Sequence, residues 1–135
     1  TDLAGALRYM RNVQRQHSVC FILSDFMATG YEAPLRVLAK RHDCVGIHAW
    51  DIRERTLPDV GLLHLVDSET GQSGWWDTTD PDFRRKFTRH FTANLAEARR
   101  IFQQAGADFL SISTQEPYSN ALLRFFEQRA RSIGR

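Results

Sequence analysis

The chain has 135 residues and 15.6 kDa, the size of one domain. It is 42% hydrophobic and 25% charged, enough apolar material for a packed core, which excludes a disordered tail. A formal net charge of +2 is too small for a dedicated nucleic-acid domain, where a strong basic stripe is expected. Lys40 and Lys86 are the only lysines, so every other basic side chain is arginine.

Residues 1–14 repeat apolar groups at Leu3, Ala6, Leu7, Met10 and Val13, the stripe of an amphipathic helix, with Thr1 or Asp2 as N-cap. The almost wholly apolar run 18–24 lacks alternation, as a strand buried on both faces in a parallel sheet does. A break at 28–30 precedes a helix over 31–41, with Pro34 in its first turn and Leu35, Leu38 and Ala39 inward. A second buried strand over 43–50 completes a βαβ unit, whose crossover is expected to be right-handed. Residues 51–59 read as a polar loop, and 61–66 with 73–78 as an antiparallel hairpin around the turn 67–71.

The longest helix is predicted over 81–104, capped by Asp80 and Pro81 and closed by Gly106. Phe83, Phe87, Phe91, Leu95, Ala98 and Phe102 form its core stripe. A third parallel strand over 107–113 and a helix over 117–132, burying Leu122, Phe125 and Phe126, complete one α/β domain. Cys20 and Cys44 sit in apolar runs and are expected to be reduced core thiols of a cytoplasmic protein. No signal peptide and no apolar run near the ~20 residues of a membrane span is present, so no membrane partner is expected. The chain opens at Thr1 inside a helical pattern and is expected to be part of a longer polypeptide.

Ligands of open parallel sheets gather at the carboxyl ends of the strands. Those ends carry Ser24 and Asp25, then Asp51, Arg53 and Glu54, then Ser113 and Thr114. Asp25 is the best single candidate for a metal ligand, with a turn-capping role as the competing reading. His17, His42, His48, His64 and His90 show no metal-binding spacing, and His48 and His64 are expected within strands. No GxSxG, GxxxxGK[ST] or GxGxxG is present, which leaves a nucleophile elbow or nucleotide loop without a motif. Trp75 and Trp76 are adjacent in a predicted strand, so at least one is a candidate exposed interface anchor.

The strings ILSDF, YEAPLRVLAKRHD and VGIHAWDIRERTLPDVGLLHLVDSETG resemble the bacterial domain-of-unknown-function 58 proteins, over nearly the whole chain. The resemblance implies a von Willebrand factor A-like, Rossmann-like three-layer α/β fold: a mainly parallel sheet with an added β-hairpin, lacking the N-terminal strands. It implies association with a MoxR-type AAA+ ATPase and, in the complete domain, a Mg²⁺ adhesion site gripping a partner's carboxylate. Thr1 and Asp25 look like two of that site's ligands, and the DxSxS segment that would supply the others is not in this chain, so no tightly bound cofactor is expected here. Without its upstream neighbour the first strand would have a bare edge, and a homodimer is expected to cover it.

A non-enzymatic protein-interaction module with Ser24, Asp51, Arg53, Glu54, Trp75 and Trp76 on its surface is therefore the leading expectation. The alternative is a metal-dependent phosphohydrolase or nuclease built on Asp25, Asp51 and Glu54. A weak nucleic-acid contact through Arg84, Arg85, Arg89, Arg99 and Arg100 is a third reading, set against a simple solvated helix face.

Overall fold

In the computed structural model, which describes residues 1–67 and 70–133, a strand of eight residues, β2 (Asp43–Trp50), forms the middle of the molecule. β1 (Val19–Ser24) lies parallel to it on one side and β5 (Asp108–Ser113) parallel on the other. The register pairs Cys20 with Cys44 and Ser24 with His48, and on the far side His48 with Ser111 and Trp50 with Ser113. The apolar run of β2 is explained by burial on two faces, whereas β1, expected to be buried on both, is covered on one: Cys20 is buried but Val19, Phe21 and Leu23 on the other side are exposed, because this strand lies at the sheet edge.

One face of the sheet is covered by α1 (Leu3–Val13), α2 (Glu32–Ala39) and α4 (Pro81–Ala105). Leu3, Leu7, Leu35, Leu38, Ala98, Ile101 and Phe102 from these helices close over Cys20 and Cys44. The other face carries a single helix, α5 (Tyr118–Ile133), whose Ala121, Leu122 and Phe125 pack on Val45, Ile47 and Ile112. The result is a three-layer, Rossmann-like α/β arrangement. Arg129 seats α5 at the amino ends of the strands: its Nη2 donates to both carboxylate oxygens of Asp43 at 2.7 Å, and its Nε lies 3.0 Å from Asp108.

Local signals account for the helix ends. Asp2 accepts from the Gly5 amide at 2.7 Å, and Asp80 accepts from the Asp82 amide at 2.9 Å with Pro81 following it. Gly106 closes α4 at φ 75°, a left-handed conformation that glycine adopts without penalty. Both cysteines are free and buried.

Two further features differ from the sequence reading. Residues 51–59, expected as a polar loop, contain the short helix α3 (Ile52–Arg55). Asp51 and Glu54 fold it by a reciprocal capping box: Asp51 accepts from the Arg53 amide at 2.9 Å, and Glu54 accepts from the Asp51 amide at 3.1 Å. The expected hairpin is present: β3 (Leu62–Val66) and β4 (Ser73–Asp77) pair antiparallel as a two-stranded sheet of their own. Thr78, expected at the end of β4, instead lies just beyond it: its buried hydroxyl donates to the Gly61 carbonyl at 2.6 Å and accepts from the Val60 amide at 3.1 Å.

Candidate functional site

Ser24, Asp25 and Asp51 follow neighbouring strands that run in the same direction, so they share the carboxyl edge of the sheet. The chain leaves β1 through a tight turn. The Ser24 hydroxyl accepts from the Phe26 amide at 3.0 Å and Asp25 Oδ1 accepts from the Met27 amide at 3.1 Å. Phe26 takes a left-handed φ of 54°, uncommon for a bulky residue. Burial among Tyr31, His48, Phe102 and Phe109 holds it there.

The carboxylates of this edge have different tasks. Asp51 Oδ1 takes the Arg53 amide, and its Oδ2 accepts from the Thr114 hydroxyl at 3.0 Å. These two donors, the amide foremost, hold the Asp51 carboxyl below the usual carboxylate range. Asp51 therefore clasps β2, α3 and the end of β5 together. Glu54, which also accepts from the Asp51 amide, lines with Asp25 a cavity of about 230 Å³ under α4.

That cavity also brings in residues that sequence reasoning missed. His48 is 5% exposed; its Nδ1 lies 3.2 Å from the Ser111 hydroxyl, and its ring contacts Phe91 and Phe109. Burial pushes the His48 imidazole below its ordinary value, with Glu54 and Asp25 pulling the other way. His90 and Asn94, one helical turn apart on α4, join through Asn94 Nδ2 and His90 Nε2 at 3.1 Å. Phe87 and Phe91 complete the wall. The one signal for this grouping was a histidine inside the apolar β2 run; its companions on α4 are distant in sequence.

The remaining expected residues lie elsewhere. Thr1 is exposed and precedes the N-cap of α1. Among the described residues no group of three or more His, Cys, Asp or Glu side chains is placed to hold a metal ion. Asp25 Oδ1 accepts from the Met27 amide, the turn-capping role that competes with the metal reading. Asp25, Asp51 and Glu54 do not converge as a metal-dependent hydrolase requires.

Trp75 and Trp76 belong to the hairpin. Trp75 is 70% exposed beside His64, and Trp76 stacks on Phe83 with ring centroids 5.2 Å apart. Of the arginines on α4, Arg84 pairs with Asp59 and the Thr78 carbonyl, Arg85 with Asp82 and Arg100 with Glu97, as on a solvated helix face. Among the described residues no helix is long and apolar enough to cross a membrane.

Residues 1–97 match the family described as "Protein of unknown function DUF58". The chain belongs to that family. An uncharacterized protein of Mycobacterium avium is 32% identical over 131 residues, which is 96% of this chain and 77% of that protein. Uncharacterized proteins of Mycobacterium bovis and Mycobacterium tuberculosis are each 34% identical over 131 residues; the chain spans 41% of their length. No solved structure matches this DUF58 chain.

Proposed function

We propose that this chain is a non-enzymatic protein-interaction module that pairs with a second copy of itself through β1. The supporting observation is the free edge of that strand. Among the described residues β1 is bonded to β2 alone, and Val19, Phe21 and Leu23 on its α5-facing side are 52%, 47% and 69% exposed. The apolar surface continues onto α5, where Phe126 meets Phe21 edge-on at 6.1 Å and Leu123 is also exposed. Unpaired strand edges beside apolar surface are templates for another strand. A two-fold pairing of β1 with its own copy would satisfy both edges at once and join two sheets into one.

In the complete protein we place this module as a von Willebrand factor A-like adaptor for a MoxR-type AAA+ ATPase, on the strength of the sequence resemblance. The free buried thiols favour a cytoplasmic setting. No step of this reading runs through a metal ion.

Sedimentation equilibrium tests the pairing. The 135-residue chain is expected to be dimeric at micromolar concentration, and Leu23→Lys, whose side chain is solvated in the monomer, to be monomeric and folded. A stable monomer of the unsubstituted chain overturns the pairing. Recovery of no ATPase by the tagged protein from its source cells overturns the adaptor role.

A further inference from the structure

The cavity at the carboxyl edge has an unusual inventory for this chain. The protein carries 18 lysines and arginines against 16 acidic residues, yet among the described residues none of the basic ones lines it. Asp25 and Glu54 do, so with neutral histidines its wall is doubly negative. An anion, whether phosphate or carboxylate, would meet only repulsion there.

The hydrogen-bonding vacancies agree with the charge. Asp25 and Glu54 each commit one oxygen to a backbone amide, which leaves Asp25 Oδ2 and Glu54 Oε2 without a protein donor among the described residues. Asn94 spends its amide nitrogen on His90 and on Met27 Sδ, leaving its oxygen. His48 is an independent pointer: it is almost wholly buried and lines the cavity, with Nδ1 held by Ser111 and Nε2 lacking any partner among the described residues. Acceptors therefore outnumber donors, and the flanking walls are the aromatic rings of Phe87 and Phe91. A flat, donor-rich cation satisfies all three conditions, since a guanidinium spreads several N–H donors in one plane and stacks on aromatic faces.

We infer that this cavity is a docking pocket for an arginine side chain presented by a partner protein, held between Asp25 and Glu54 against the Phe87 and Phe91 rings. The inference rests on the interaction-module reading only for the source of the arginine. The cavity lies on the α4 side of the sheet and the pairing surface is the free edge of β1 with its α5 side, so dimerisation and arginine capture can fail separately.

The probe is N-acetyl-arginine methylamide titrated into the isotopically labelled 135-residue chain and followed by NMR. Saturable shifts are expected at Asp25, His48, Glu54 and Asn94, with weaker binding of the lysine analogue and none of the uncharged citrulline analogue. Asp25→Asn and Glu54→Gln keep the oxygens that accept the Met27 and Asp51 amides, and each is expected to weaken the arginine probe by roughly five-fold. Dispersed spectra of these variants establish that they remain folded; should one unfold, the three-probe comparison on the unsubstituted chain decides alone. Absence of saturable shifts, an equal response to citrulline, or lysine binding as tightly as arginine overturns the inference.

Discussion

The ring of Phe102 lies directly on the backbone of Gly46: a Cβ built at Gly46 would fall 2.6 Å from two of the ring carbons. Phe102 cannot retreat, because Phe26 and Phe109 enclose it at centroid distances of 5.1 and 5.3 Å. The middle strand is thus bare where the largest helix packs most closely. Gly46→Ala is expected to cost about 2 kcal/mol through overpacking. Urea denaturation checks the cost, and adding Phe102→Leu should recover part of it.

The two adjacent tryptophans have opposite expected effects. Trp75 presents its ring to solvent, so Trp75→Ala should change stability by no more than about 0.5 kcal/mol. Trp76 stacks on Phe83 with the rings only 4° from parallel, and Trp76→Ala should cost about 1–2 kcal/mol. Chemical denaturation separates them, and iodide quenching of the fluorescence should fall mainly when Trp75 is removed.

Stability should fall on the alkaline side. Burial pushes the Cys44 thiol up to about 12 and the Tyr31 hydroxyl up to about 12, and raises Cys20 as well. In the unfolded chain the thiols ionise near their ordinary value of 9.0, while the folded chain keeps them protonated. The stabilisation is complete below that value and drains away as pH climbs toward 12, because ionisation then favours the unfolded state. Urea midpoints measured from neutral to strongly alkaline pH should decline over this window. A Cys20→Ala/Cys44→Ala double variant should delay the decline toward the ordinary tyrosine value of 10.0.

Much of the fold was legible because burial leaves composition marks. The runs around Cys20, Val45 and Leu110 read as parallel strands and are so paired, although two-face burial, the reason for that reading, holds for β2 and fails for β1, whose Val19, Phe21 and Leu23 are exposed. The stripe ending in Phe102 marked the inner face of α4, and both members of the tryptophan pair are exposed, Trp75 more than Trp76. The helix α3 was not legible, since four residues carry no periodicity and its capping box looks like two free acidic groups. The left-handed Phe26 has no local signal, because the rings that hold it come from distant segments. At the site, Asp25 was correctly placed at the sheet edge and serves the turn, as the competing reading held. That it shares a cavity with Glu54, His48 and Asn94 depends on how α4 crosses the edge, which no spacing encodes.

The hairpin's independence from the main sheet has a mechanical consequence. Among the described residues its strands bond only to each other, and its anchors include the Trp76–Phe83 stack and the Thr78 and Arg84 hydrogen bonds at its base. A two-stranded ribbon so tethered can detach and re-dock at a free-energy cost well below that of global unfolding. Its amides are therefore the ones that trade deuterium early, while those of β2, bonded on both sides, are released only when the whole domain comes apart.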